Sequence, residues 1–507
     1  MNLLLLLDMA AAGRADDVVV QSGADRLTGA ELLAGAWAGA KYTAGASALA
    51  YVGTNGLAFP LGLFAAAAAG VPFVPLNYRL SDDQLHALLE PLGDVLVVAE
   101  GHAAGALAVR GHRVLEAEQF VAAARACRAG GEVPADGESP AVLLHTSGTT
   151  SAPKAAVLRH RHLTSYVIGT VEFGAAGDDE AVLVSVPPYH VAGLANLLSN
   201  LYLGRRIVYL GQFDAAGWVR AVRQHRITHA MVVPTMLARI ADVLEGGAAG
   251  GAGAGGAAGG LGLPSLRALS YGGARTPAGV LQRVMALLPA VDLTNAYGLT
   301  ETSSTIAVLG PDDHRSARAG DPEAVARLAS AGRVLPTIEV QVRGIDDQPV
   351  GAAGEPGEIW VRGEQVSGEY AGRTAPLDAE GWFPTRDRGW VDADGYLFIE
   401  GRSDDTIIRG GENIAPAEIE EALLRHPAIA QCAVVGIPDD EWGQRIAAAV
   451  VLVAGARLDA AAVQAHAREH LRGSKTPDVV TFVAELPYTD TGKLLRRVVQ
   501  ADIVATV

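Results

Sequence analysis

The chain reads as an α/β protein with a large N-terminal domain of largely parallel sheets, a small β-rich subdomain and a small α+β C-terminal domain. Three observations carry this. First, strand-length apolar runs at residues 95–99, 181–186, 206–210 and 230–233 alternate with alanine-rich helical segments through most of the first 300 residues. That alternation predicts helices packed on parallel strands. Second, from about Ile338 the texture changes to short strands at 338–343, 358–362, 390–392 and 396–400, separated by Gly, Asp and Pro turns. Third, Gly401-Arg402-Ser403-Asp404-Asp405 forms a polar joint. Beyond it the pattern predicts a helix after Pro416, strands at 430–436 and 446–453, and a helix near 460–471. The boundary is set at the joint: 1–403 is the first domain, with 337–403 as its β-rich part, and 404–507 is the second.

The composition agrees. A chain of 507 residues is too long for one core and long enough for several subdomains. Half of it is hydrophobic, much of that alanine, and 60 residues are glycine. A net charge of −16 argues against a nucleic-acid partner, because phosphate backbones recruit Lys and Arg. A nucleotide can still bind in a local basic pocket of an acidic protein, usually with Mg²⁺. The two cysteines, Cys127 and Cys432, allow no disulfide framework or zinc spacing and read as small buried apolar groups. That suits a reducing cytoplasm.

Further segments are settled by local chemistry. The opening MNLLLLLDMAAAGR lacks a positive n-region, and Asp8 interrupts its leucines, so it reads as a helix rather than a signal peptide. Residues 57–76 carry no charge over a membrane-spanning length, but Pro60, Pro72 and Pro75 break the run. A buried helix followed by a strand is expected there. Residues 246–260 contain only Gly and Ala, which hold a helix poorly, so a surface loop is expected. The C-terminus carries no peroxisomal or reticulum address.

The most informative stretch is LHTSGTTSAPK, residues 144–154. Thr146, Ser147, Gly148, Thr149, Thr150 and Ser151 offer hydroxyls, backbone N–H groups and close backbone approach, and Lys154 adds a positive charge. Together they make a nest for phosphate oxygens. The spacing is not Walker A: Gly148 stands six residues before Lys154, and Ala155 follows. Short strands at 141–144 and 155–158 are expected to flank the loop, with a helix beginning only near Arg161.

With further motifs in order along almost the whole chain, the sequence resembles the adenylate-forming ligases: acyl- and aryl-CoA synthetases, peptide-synthetase adenylation domains and firefly luciferases. The resemblance implies two parallel-type sheets in the large domain and a rotating small domain. It implies ATP, Mg²⁺ and a thiol such as coenzyme A as reactants. The 146–154 loop would close over the β- and γ-phosphates, with Ser151 standing where the family often has glycine. Gly272, Gly273 and Ala274, after Ser270 and Tyr271, resemble the adenine wall. In Asn295-Ala296-Tyr297-Gly298-Leu299-Thr300-Glu301 the family's tyrosine packs on adenine, its threonine contacts the α-phosphate and its glutamate helps hold Mg²⁺. Asp387 would accept from the ribose hydroxyls, supported by Arg402. Lys493 falls on the catalytic lysine, whose charge stabilises the adenylation transition state. Asp404 falls on the hinge. Gly410 and Gly411 would line the thiol tunnel, and Trp442 would lie near the CoA nucleotide.

The acid and its acceptor are read more coarsely. His190, in Pro188-Tyr189-His190-Val191-Ala192-Gly193, falls where acyl- and aryl-CoA ligases have a histidine flanking the acyl pocket. Tyr189, Val191, Leu194, Val232, Val233, Thr235, Met236 and Tyr271 complete a mostly apolar pocket, which suits an aryl, alicyclic or fatty acid. No acidic residue occurs between Tyr189 and Leu203, which argues against an amino acid. CoA is the expected acceptor. A carrier-protein thiol, or release of the adenylate to another enzyme, stands as the alternative. A luciferase-type oxygenase and a non-catalytic nucleotide-binding protein remain open. A cytoplasmic monomer or homodimer is expected.

Overall fold

The computed structural model describes residues 1–126, 130–134, 136–146, 154–249, 262–344, 346–410, 412–439, 441–489 and 494–506. The chain divides into two compact units: Met1–Leu328 with Gly332–Glu339 and Arg362–Phe383, and Ala329–Ala331 with Val340–Val361 and Pro384–Val507. The joint expected at 403–404 lies inside the second of these.

The first unit holds two sheets. One runs Gly332–Val334, Ser304–Leu309, Asp292–Leu299, Ala268–Gly272, His229–Val232, Ala181–Val184, Arg206–Tyr209, Val18–Ser22, Asp25–Thr28. Its central strands are parallel. The other runs Arg113–Glu116, Val95–Ala99, Ala48–Val52, Phe73–Pro75, Pro140–Thr146, Lys154–Arg159. In Ala48–Val52 every side chain is buried. Leu49 and Tyr51 join one core, while Ala48, Ala50 and Val52 join another, because successive strand side chains face opposite ways. Covering both faces is the condition under which parallel sheets form.

The helices follow their local chemistry. Leu4–Gly13 is the expected opening helix. The uncharged stretch gives the helix Ala58–Ala69, stopped at Gly70 in the left-handed region (φ +71), and the strand Phe73–Pro75. Thr28 with Glu31, and Ser81 with Gln84, form capping boxes at the starts of Gly29–Thr43 and Asp82–Leu89. One expectation is corrected: the helix Pro234–Ala249 continues into the Gly/Ala run, so 246–249 are helical backbone. Twelve preceding residues of better propensity carry it on. The remainder of the run lies outside the described residues. Among those residues no helix is long and apolar enough to cross a membrane.

The second unit contains the β-rich segment, whose strands run in the order Glu339–Arg343, Gly357–Arg362, Phe383–Val391, Tyr396–Arg402. It also contains the hairpin Ile407–Arg409 with Glu412–Ile414, and a sheet of Ile429–Asp439, Gly443–Leu452 and Val479–Phe482. The helices Pro416–Leu423 and Ala460–His470 pack on one face of that sheet through Ile419, Leu423, Val463 and Ala467. Arg496–Thr506 packs on the other through Val499 and Ile503. Cys432 is buried, and burial pushes its thiol pKa up, as expected of an inert core cysteine.

Candidate active site

Four adjacent parallel strands of the first unit, Ala181–Val184, His229–Val232, Ala268–Gly272 and Asp292–Leu299, end at one edge of their sheet. Ligands of open parallel sheets sit beyond such carboxyl ends. The ends of these strands and the segments that follow them carry the acyl-side and adenine-side residues singled out from sequence.

Past the first strand end, His190 occupies the N-cap position of the helix Val191–Leu203 without a side-chain cap, and Tyr189 lies beside it at 4.5 Å between ring centroids. The Tyr189 hydroxyl accepts from Arg79 Nη1 at 3.1 Å. Gly193 has a steric reason: a Cβ there would stand 2.6 Å from the Pro187 carbonyl oxygen. Val191 is half-buried and Leu194 buried. Beyond the second and third strand ends, Val233 stands by Gly273, whose hypothetical Cβ would be 3.6 Å from Val233 Cγ1. Gly272 pairs with Ala296 in register, and a Cβ on it would meet the Ala296 oxygen at 2.2 Å. The exposed Gly273 takes φ +83 to turn the chain, and the exposed Ala274 follows.

Tyr271 is placed differently from its neighbours. It shares a strand face with the buried Leu269, is 1% exposed, and donates its hydroxyl to His314 Nε2 at 2.8 Å. His314 in turn gives its Nδ1 proton to the Gly310 carbonyl at 2.7 Å. Burial raises the tyrosine pKa and lowers that of the histidine, so both are neutral in this bond.

The fourth strand end carries Asn295, Ala296, Tyr297 and Gly298, all half-buried, and then a single 3₁₀ turn, Thr300–Thr302. Gly298 admits no side chain, because a Cβ would stand 1.8 Å from the Ser304 oxygen. The Thr302 hydroxyl donates to the Ser304 carbonyl at 2.8 Å and accepts from Leu299 N–H at 3.0 Å. A segment more than sixty residues away completes the turn. Gln365 Nε2 donates to the carbonyls of Thr302 (3.0 Å) and Thr305 (2.8 Å), and Ser367 N–H donates to the Glu301 carbonyl (2.8 Å). Tyr370 then donates its hydroxyl to Glu301 Oε1 at 2.5 Å.

The same segment is stitched to the strand pair Pro140–Thr146 and Lys154–Arg159. Val157 N–H donates to the Glu369 carbonyl at 2.9 Å. Arg159 holds the Glu369 carboxylate with two hydrogen bonds, at 2.9 and 2.8 Å. Thr146 and Lys154 are antiparallel register partners, so the loop joins two strands, as the apolar runs on either side of it predict. Lys154 Nζ stands 5.6 Å from the Tyr370 ring centroid. A cation and a carboxylate therefore flank one tyrosine. Ser147, Gly148, Thr149 and Thr150, the body of the loop, lie outside the described residues. Tyr370 and Gln365 were missed in the sequence, where only a short Ser-Gly-Glu-Tyr run between turns marks them.

In the second unit, Asp387 and Arg402 are register partners on neighbouring strands, and Arg402 Nε meets Asp387 Oδ1 at 3.0 Å. The Asp387 residue is 6% exposed. Arg402 also donates to the Thr385 carbonyl at 2.9 Å. Asp404 sits in the 3₁₀ turn Ser403–Asp405. Gly410, at φ +56, donates its N–H to the Trp442 carbonyl at 2.8 Å, and a Cβ on it would stand 3.0 Å from the exposed indole. Arg409 covers that indole at 5.5 Å. Gly411 and Lys493 lie outside the described residues. Three residues past Lys493, Arg496 holds Glu420 with both Nη atoms, donates to the Val434 carbonyl at 2.7 Å, and lies 3.5 Å from Asp405. This clamp on the joint was also missed.

Residues 7–371 match the AMP-binding enzyme family, and residues 418–493 match the AMP-binding enzyme C-terminal domain. A feruloyl-CoA synthase of Amycolatopsis sp is 35% identical over 88% of this chain and 87% of its own length. The o-succinylbenzoate CoA synthetase of Bacillus subtilis, solved with its acyl-adenylate intermediate, superposes with TM-score 0.81 at 25% identity, covering 98% of this chain and 97% of that one. The amide bond synthetase of Marinactinospora thermotolerans gives TM-score 0.84 at 26% identity, covering 99% of each chain.

Proposed function

The chain belongs to the AMP-binding enzyme family, and from that premise we propose that it is an AMP-forming acid–thiol ligase acting on a hydrophobic carboxylic acid, with CoA as acceptor. The carrying observation is the shared sheet edge. There the largely apolar segment 189–194 and Val233 adjoin the Gly272-Gly273 turn, and the next strand ends in the Glu301 turn. An acid and a nucleotide can meet at that edge. The 35% likeness to a feruloyl-CoA synthase supports CoA as acceptor.

Two displacements make up the reaction. A carboxylate oxygen attacks the α-phosphorus of ATP, and pyrophosphate leaves. The thiolate sulfur of CoA then attacks the acyl carbon, and AMP leaves. Thr146, Ser147, Gly148, Thr149, Thr150 and Lys154 grip the β- and γ-phosphates. Tyr297, with Gly272, Gly273 and Ala274, holds the adenine, and Asp387 with Arg402 holds the ribose. Thr300 and Lys493 act at the α-phosphate. His190 flanks the acyl pocket, with Tyr189, Val191, Leu194 and Val233 around the acyl group.

Glu301 fits a hard cation, because its carboxylate is held by a neutral hydroxyl that leaves its charge undiminished. Mg²⁺ bound there supplies charge that screens the phosphate oxygens. Asp404 is the hinge between 1–403 and 404–507, turning the small domain after adenylation. Gly410, Gly411 and Trp442 then meet the incoming pantetheine and nucleotide of CoA.

A second reading passes the adenylate to a carrier protein, a partner enzyme or an amine, and the likeness to an amide bond synthetase supports the amine. The deciding experiment is ATP–pyrophosphate exchange over benzoic, alicyclic, fatty and polycyclic acids, with and without CoA, products being identified by mass. An acyl-CoA from one acid class supports the ligase. Exchange with no CoA product moves the second reading ahead, and no exchange with any acid sinks both.

A further inference from the structure

The helix Ala460–His470 of the second unit carries His466, Glu469 and His470, none of which the proposed reaction uses. Residues three and four apart share one helix face. One ligand-capable atom of each lies within 4.8 Å of the other two. His466 is half-buried, while Glu469 and His470 are exposed, so the group is reachable from solvent.

Two hydrogen bonds prepare the rings. His466 Nε2 lies 3.0 Å from the Ala422 carbonyl oxygen, and His470 Nδ1 lies 3.0 Å from the His466 carbonyl oxygen. A carbonyl only accepts, so each of these nitrogens carries its proton. In the neutral rings His466 Nδ1 and His470 Nε2 keep their lone pairs. Metal-bound histidines are held in this way, with the second ring N–H given to a carbonyl or carboxylate. His426 backs the site, its ring perpendicular to His466 at 5.0 Å between centroids. Its Nδ1 accepts from Ala428 N–H at 3.1 Å, which puts its proton on Nε2 and leaves it a neighbour rather than a ligand.

Two imidazole nitrogens and a carboxylate suit a borderline divalent ion such as Zn²⁺, whereas Mg²⁺ and Ca²⁺ prefer oxygen alone. The order His-x-x-Glu-His also occurs on the metal-binding helix of one class of zinc peptidases, where the two histidines bind the ion, so histidines four apart on a helix can reach one metal. We propose that His466, Glu469 and His470 bind one divalent transition-metal ion, zinc foremost, on the surface of the second unit, with water completing the shell.

The test uses tag-free, full-length protein stripped with a chelator and titrated calorimetrically with Zn²⁺ in excess Mg²⁺. One zinc per chain is expected. His466→Ala and His470→Ala each weaken it at least about tenfold, while Glu301→Gln leaves it unchanged. No zinc uptake by the wild type, or unchanged uptake by the double histidine variant, overturns the site. A wild-type measurement guards against misfolded variants: Co²⁺ should give visible d–d absorption and protect His466 and His470 from acylation. Failure to protect them also overturns it.

Discussion

Glu301, in the first unit, is held by a neutral tyrosine hydroxyl, whereas Asp387, in the second, faces a guanidinium. Both are carboxylates set beside strands, yet their surroundings suit them to different partners. A carboxylate steadied by a neutral donor keeps its charge for a cation. A carboxylate already paired with arginine has spare lone pairs but little spare charge, which matches neutral hydroxyls. The contrast extends into each unit. The first holds its turn with Gln365, Ser367 and Tyr370, and the second holds its joint with Arg496 between Glu420 and Asp405.

The largest expected effect is on the charged side. Arg496→Met leaves the half-buried Glu420 with the Val434 N–H but without its guanidinium, which should cost about 3 kcal/mol, the lower end for a buried pair broken on one side. Denaturant unfolding of the second unit measures it, and a loss below about 1 kcal/mol would remove the clamp from the account. Next comes Glu301→Gln, which should slow pyrophosphate exchange about 10²–10³-fold, as loss of a group acting on transition-state charge does. An effect confined to KM for the acid would contradict its assignment to Mg²⁺.

The neutral side makes a pH prediction. His160 Nδ1 accepts from Leu3 N–H at 3.0 Å, and His162 Nδ1 accepts from Arg159 N–H at 3.1 Å. Burial lowers the first to about 4; burial with the nearby Arg161 and Arg159 lowers the second to about 3. An unfolded histidine titrates near 6.5. Below that pH the unfolded chain takes up protons that the folded one refuses. The contribution is therefore complete above about pH 6.5 and is lost as pH falls toward 4. The melting temperature of the first unit should drop between pH 7 and 5, and His160→Gln should flatten the slope. A flat profile in the wild type would refute this.

The smallest effect sharpens the comparison most. Tyr370→Phe removes one hydrogen bond to a charged group, worth about 1.5–3 kcal/mol, and should slow adenylation about tenfold or somewhat more. Asp387→Asn should act mainly on KM for ATP. If the two variants behaved alike, the neutral and charged settings would not divide the work as described.

Local chemistry made much of this legible. The glycines at 272 and 298 stand where a strand neighbour leaves no room for a Cβ, and the apolar runs at 141–144 and 155–158 already marked the two strands that flank the loop. Asp387 and Arg402, fifteen residues apart, meet because a hairpin returns the chain in register. What escaped reading depends on distant pairing. Tyr370 reaches Glu301 across 69 residues, and Arg496 reaches Glu420 across 76. No local periodicity announces either. Tyr271 shows a subtler limit: strand parity commits it to the core and His314, whereas Gly273 and Ala274, just past the strand end, are exposed.

The most direct test is a single-turnover quench. Enzyme, MgATP and an accepted acid are mixed first, CoA is added second, and nucleotides and acyl species are followed. The account predicts acyl-AMP and pyrophosphate first, then acyl-CoA with AMP, and loss of the first phase but not the second when Lys493→Ala is supplied with preformed adenylate. Release of ADP and phosphate, or equal loss of both phases in that variant, would contradict it.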